Sequence, residues 1–206
     1  MAIESGQTDR TALADDLRAI LDEMDRTDKQ ARALVTGFSE AQLNWQPGGG
    51  TGWSVAQCLD HLAQSTALYA PALLEAVRRA KAKASSPHIR KPIQPPWLGR
   101  WFIRDLEPPP KRKSKAPKKV IPPAQLKSAE VLKAFLAAHD QVRALVQEAR
   151  ELDLNRIRFR NPLLRIFPWT VGTGLFILGA HDRRHLWQAQ QVLKVMEQET
   201  PATKPR

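Results

Sequence analysis

The chain predicts an all-α fold, a single domain built as a four-helix bundle, and three observations carry that prediction. Four separate stretches repeat apolar residues at the 3.6-residue period of a helix. No stretch alternates Val, Ile or Thr with polar residues at the two-residue period of a strand, so no sheet is expected. The segments between the stretches concentrate Pro and Gly, which end helices rather than extend them. Long amphipathic helices must bury their stripes against one another, and 206 residues is one domain's worth at a prior of about 150 residues per domain.

The first helix occupies residues 8–36, with Leu13, Leu17, Ile20, Leu21, Met24, Ala31, Leu34 and Val35 as its stripe and Gly37 as its stop. Ser39 to Leu43 reads as one capped turn, followed by Pro47 and three glycines that no helix absorbs cheaply. Ser54-Val55-Ala56-Gln57 is a capping box, in which hydroxyl and amide satisfy free backbone donors reciprocally. The second helix runs from there to about Ala84 through Leu59, Leu62, Tyr69, Leu73 and Val77. Pro71 within it should kink the helix or remove one backbone bond. Residues 124–151 form the third helix, 152–169 a connection containing Pro162 and Pro168, and 170–199 the fourth. The domain is expected to span 1–206, with 200–206 a disordered tail. About 40 residues join helices two and three, long enough to cross the bundle, so an up-down-up-down order is not required.

Composition removes several function classes. At 42% hydrophobic and 26% charged the chain is too apolar to be disordered. A single cysteine, Cys58, excludes a disulfide framework and any Cys-rich zinc module. No apolar run reaches the ~18 residues of a membrane span. The polar, acidic Met1–Asp16 is not a signal peptide, so a cytoplasmic location is expected. The net charge of +11 is local. Fourteen of the 32 Lys and Arg, but two of the 21 Asp and Glu, fall within residues 78–119, leaving the rest of the chain near neutral. Ten of the 16 prolines lie between Pro87 and Pro123, which marks 85–123 as a basic, Pro-rich insert.

Of five histidines, His181 and His185 stand at i and i+4 on the fourth helix, one turn apart on one face. Two imidazoles so spaced can converge on one divalent ion, although Arg183 and Arg184 between them also suit a solvated face. His61, on the second helix beside Cys58 and Leu62, adds a third candidate, since bundles build metal sites from facing helices. Three neutral imidazoles on zinc, nickel or iron(II) leave positions open for water or substrate. His139 lacks a partner at this spacing and His88 sits in the insert, so both are set aside.

Two motifs then add a family. Trp53-Ser54-Val55-Ala56-Gln57-Cys58-Leu59-Asp60-His61-Leu62 resembles the W-S-x-x-Q-x-x-x-H-L opening of helix two in the DinB-like superfamily. His181-Asp182-Arg183-Arg184-His185-Leu186-Trp187-Gln188 resembles that superfamily's H-x-x-R-H-x-x-Q signature on helix four, in the right order and about 120 residues on. The resemblance implies an up-up-down-down bundle and a divalent metal on His61, His181 and His185. The family holds thiol-dependent transferases and isomerases that use bacillithiol or mycothiol, and metal-dependent hydrolases. A fold does not choose among these.

Both chemistries start from one site. A His-ligated ion brings the pKa of its water to about 7, or holds a low-molecular-weight thiol as thiolate. Gln188, Asp60 and Asp182 are candidates to orient the ligand rings. The two aspartates, adjacent to ligands, point ~100° away on their helices. Cys58, one turn before His61, is either a further ligand or redox partner or a small buried apolar residue, the reading favoured for a free cysteine. Trp45, Trp53, Trp169 and Trp187 are expected to wall the bundle ends near the pocket, with aromatic core the default role for all four. Lys111–Lys119 can contact nucleic acid or anionic lipid, but no DNA-reading motif accompanies it. Trp97, Trp101 and Phe102 are expected to anchor an otherwise solvated insert on the bundle or on a dimer partner. The expected protein is therefore a homodimeric, metal-dependent hydrolase or thiol-dependent transferase acting on a small molecule. The alternative is a non-catalytic bundle that binds an acidic partner through 111–119.

Overall fold

The computed structural model describes residue 10 and residues 13–83, 89–111, 115–163 and 168–199. His88 and the 200–206 tail lie outside these, as do residues 112–114 of the basic run. Four long helices carry the fold: α1 (Asp15–Val35), α4 (Val55–Lys83), α6 (Ser128–Glu148) and α7 (Val171–Glu199). Between α1 and α4 come a single turn, α2 (Glu40–Leu43), and a glycine turn, α3 (Pro47–Gly50), where Gly48 and Gly49 take left-handed φ of 63° and 62°. Gly37, at φ 87°, turns the chain after α1, a conformation that a side chain resists.

Contacts along the helices define their directions. His61 and Leu73 of α4 meet His181 and Gly174 of α7, so these two run antiparallel. Ile93 touches both Asp16 and Gly172, while Glu23 pairs with Arg183, so α1 and α7 run parallel. Asp25 and Asp28 of α1 pair with Arg143 and Arg143 plus His139 of α6, which makes that pair antiparallel. The order is thus up-down-down-up, which corrects the up-up-down-down expectation. The physical reason is the long connection: it returns the chain to the start of the bundle, so α6 repeats the direction of α4 instead of reversing it.

Two further corrections concern the connections. Arg158–Arg160 (β1) and Pro168–Thr170 (β2) form a small antiparallel ribbon with Phe159 opposite Trp169. Strands of three residues are too short for alternation to register. The insert also holds a helix, α5 (Trp97–Leu106), and a 3-10 turn (Lys118–Val120). Far from being a solvated loop, its described part is pinned: the Ile93 amide donates to Asp16 and Asn155 donates to Pro92, while just beyond the insert Leu126 exchanges two bonds with Asn44. Phe102 stacks on Trp169 as an anchor. Trp97 does not anchor on the bundle: it is 72% exposed, and Trp101 also faces out.

Pro71 sits inside α4 on an exposed position, and the helix continues through it to Lys83. The core divides into two apolar clusters. One surrounds Leu17, Leu73, Leu145 and Phe159. The other, around Leu43, Leu59, Phe135 and Leu186, lies at the end where α4 begins. Among the described residues no helix is long and apolar enough to cross a membrane.

Candidate metal centre

The start of α4 is fixed by the capping box expected there. The Ser54 amide donates to Gln57 Oε1 at 2.9 Å and the Gln57 amide to Ser54 Oγ at 3.1 Å. Gln57 also donates from Nε2 to the Pro123 carbonyl at 3.1 Å, tying the end of the insert to this helix start. One turn further on, His61 faces α7, and the antiparallel packing sets it against His181 and His185.

The three rings cluster with centroids 4.6 to 5.0 Å apart, and their ligand nitrogens lie within 4.8 Å of one another. His61 donates from Nδ1 to the Val120 carbonyl at 2.7 Å, and His185 from Nδ1 to Gln188 Oε1 at 2.9 Å. Each ring thereby commits its proton to Nδ1 and keeps a bare lone pair on Nε2, the arrangement usual for metal-bound histidines. Trp53 lies against the rings of His61 and His185, at 4.8 and 5.7 Å.

These residues fit a divalent ion. His61 Nε2 and His181 Nε2 stand 3.1 Å apart, with the first unable to donate. Two nitrogens at ~2.0–2.1 Å from one tetrahedral ion are separated by roughly 3.3 Å. The rings are also held neutral, which is the ligating form. Burial pushes His185 down to about 3, with the His61 ring adding to it, and pushes His181 well below the usual range with help from both neighbours. Burial lowers His61 as well, against the opposing pull of the Val120 carbonyl.

The remaining candidates separate cleanly. Gln188 orients His185 as described. Cys58 is fully buried in the apolar cluster at this end, where burial raises its thiol pKa and keeps it protonated. Asp60 accepts from Gln64 and does not reach a ligand ring. Trp45 and Trp53 pack at this end, whereas Trp169 belongs to the opposite cluster, so it does not wall the site.

Asp182 faces a different neighbour. It pairs with His139 through Oδ2 at 3.4 Å, and His139 Nδ1 lies 2.6 Å from Asp28. Although burial opposes the charge, Asp182 and Asp28 together raise His139 to about 9. Sequence reasoning missed this cluster because its members sit on three helices, with no short spacing to betray them. It also missed Val120, which acts through a backbone atom. The only hint there is its place in the Pro-rich run Pro117–Pro123, where backbone direction is stiff.

A helical bundle with three convergent, neutral imidazoles defines a class: helical proteins able to hold a divalent metal ion between two antiparallel helices. The family model described as the DinB superfamily matches residues 23–189, and the chain belongs to that superfamily. No curated protein matches the chain, and no solved structure does.

Proposed function

We propose that this protein is a metal-dependent enzyme in which His61, His181 and His185 hold a divalent zinc, nickel or iron ion beside a small-molecule substrate pocket. The observation that carries the reading is the committed Nδ1 proton on His61 and on His185, which leaves the Nε2 lone pair of each free, that of His61 3.1 Å from His181 Nε2, in a group whose ligand atoms lie within 4.8 Å of one another. An ion held there supplies acidified water or a bound thiolate at neutral pH, hence hydrolysis or thiol-dependent transfer. The chain's own residues do the preparation. Val120 and Gln188 fix the rings, burial keeps them unprotonated, and Trp53 shields one side from solvent. A cytoplasmic homodimer, with a low-molecular-weight thiol as co-substrate, belongs to the same proposal.

Metal content of the untagged protein, by inductively coupled plasma mass spectrometry, tests it. About one ion per chain is expected in the parent and none in the His61→Ala/His181→Ala double variant. No retained metal after loading with zinc, nickel and iron(II) in turn would overturn it. A second reading, a bundle that binds an acidic partner, is favoured by one observation. The outer face of α5 exposes Trp97, Arg100, Trp101 and Arg104, and Lys111 and Lys115, further along the insert, are exposed as well. Anionic vesicles or nucleic acid retained by the parent, and lost on replacing Lys111, Lys115, Lys118 and Lys119 by Ala, would support it independently of metal.

A further inference from the structure

A cavity of about 200 Å³ opens between α1 and α7 and reaches inward to Thr66 of α4 and His139 of α6. Its rim includes the exposed Ala19, and its walls are apolar: Ile20, Met24, Val142, Leu175 and Leu178. Four polar atoms on residues that line it are buried without a hydrogen-bond partner; the two His139 nitrogens lie against Asp28 and Asp182, which leaves Thr66 Oγ1 and Asp182 Oδ1 to be paired. Buried polar atoms in native proteins are nearly always paired, so these two call for an occupant that pairs them.

Water alone fills this space poorly. About six or seven waters would fit at ~30 Å³ each, and each needs two to four polar partners, which the aliphatic walls along Ile20, Met24, Val142, Leu175 and Leu178 do not offer. An apolar cavity of ~150 Å³ takes a benzene ring, so this one takes a ring with a short polar head. The charged groups around it are already paired with one another. Arg183 bridges Glu23 and Glu107 at the rim while Arg26 also pairs with Glu23. Deeper in, His139 and Arg143 face Asp28 and Asp182.

We infer that this cavity binds a small, neutral, largely apolar molecule with one hydroxyl head, which donates to Asp182 and accepts from Thr66. It is separate from the three-histidine centre and does not depend on a metal there. The apolar body lies along Ile20, Met24 and Leu178.

Methyl-resolved nuclear magnetic resonance of the full chain, titrated with benzyl alcohol and in parallel with toluene, tests the inference. Saturable shifts of the Met24 and Ile20 methyl signals are expected with both probes, and benzyl alcohol should bind more tightly. Thr66→Val keeps shape and loses the hydroxyl. It should weaken benzyl alcohol about fivefold, one hydrogen bond's worth, and leave toluene within about twofold. Ala19→Trp, at an exposed helix position that does not threaten folding, should abolish binding of both by closing the rim. Absence of saturable shifts would overturn the site. Equal weakening of both probes in Thr66→Val would overturn the polar head. Binding that survives Ala19→Trp would put the probe elsewhere and overturn the location.

Discussion

Two buried histidine clusters sit one residue apart on α7, and their imidazoles differ in protonation, neutral in one and cationic in the other. His181 turns toward His61 and His185, where burial and neighbouring imidazoles hold every ring neutral. Asp182, ~100° further round the helix, turns toward His139, where two carboxylates outweigh burial and keep the ring protonated. His61 is 3% exposed and His139 1%, so depth does not separate them. What separates them is the partner. An imidazole among imidazoles becomes a lone-pair donor, and an imidazole between carboxylates becomes a cation that holds helices together.

The largest test of that contrast removes each ring in turn. His139→Leu leaves Asp28 and Asp182 facing each other without their shared cation, and breaking a buried pair costs about 3–5 kcal/mol. His61→Leu leaves two neutral groups, the Val120 carbonyl and His181 Nε2, without their partner, a loss of about 1–3 kcal/mol with no buried charge exposed. Urea unfolding of both variants measures the difference. Equal losses would mean that the His139 cluster is not an ion pair in solution.

The same cluster should give the protein an alkaline weakness. A histidine raised from about 6.5 to about 9 on folding contributes stability that is fully present below 6.5 and lost as pH rises through 9. The groups facing it are Asp182 from α7, Asp28 from α1 and, behind Asp28, Arg143 of its own helix. Unfolding midpoints of the parent should therefore fall between pH 7 and pH 10 by more than those of His139→Gln. Parallel curves for the two would contradict the charge assigned to His139.

The two clusters were not equally legible in the sequence. His181 and His185 are readable because helical spacing puts i and i+4 on one face, and the capping box at Ser54 fixes where His61 falls on α4. The helical fold and the approximate bounds of all four long helices followed from periodicity alone. His139 was unreadable, because its partners Asp28 and Asp182 lie 111 and 43 positions away in the chain, on two other helices. Direction was unreadable too. Loop lengths permit either order, and packing chooses between them. Trp97 is not held on the bundle, and for a different reason: α5 has enough apolar bulk in Leu98, Phe102, Ile103 and Leu106 to dock without it.

A smaller effect sharpens the metal side of the contrast. Gln188→Leu removes the acceptor that holds the His185 proton on Nδ1, without touching a ligand nitrogen. Residues in that position usually change metal affinity by about 10–100-fold. Competition with a chelator should show a shift of that size for zinc, while urea stability stays within about 1 kcal/mol of the parent, since Gln188 is not fully buried. No change in affinity would mean that packing alone, through Trp53, orients His185.

The smallest expected effect separates the scaffold from the site it carries. Ser54→Ala deletes one half of the capping box, which should cost about 1 kcal/mol of stability. The other half survives: the amide of residue 54 still donates to Gln57 Oε1, and Gln57 still holds Pro123 and Gln46. Because those bonds keep the insert beside α4, the Val120 carbonyl should stay over His61, and zinc affinity should change by less than about twofold. A loss as large as that of Gln188→Leu would show that the helix start, and not its tether to the insert, positions His61. The cation cluster at His139 provides the internal control. It lies on α6 and contacts neither Ser54 nor Gln57 in the structure, so its alkaline transition should keep the same midpoint in Ser54→Ala as in the parent.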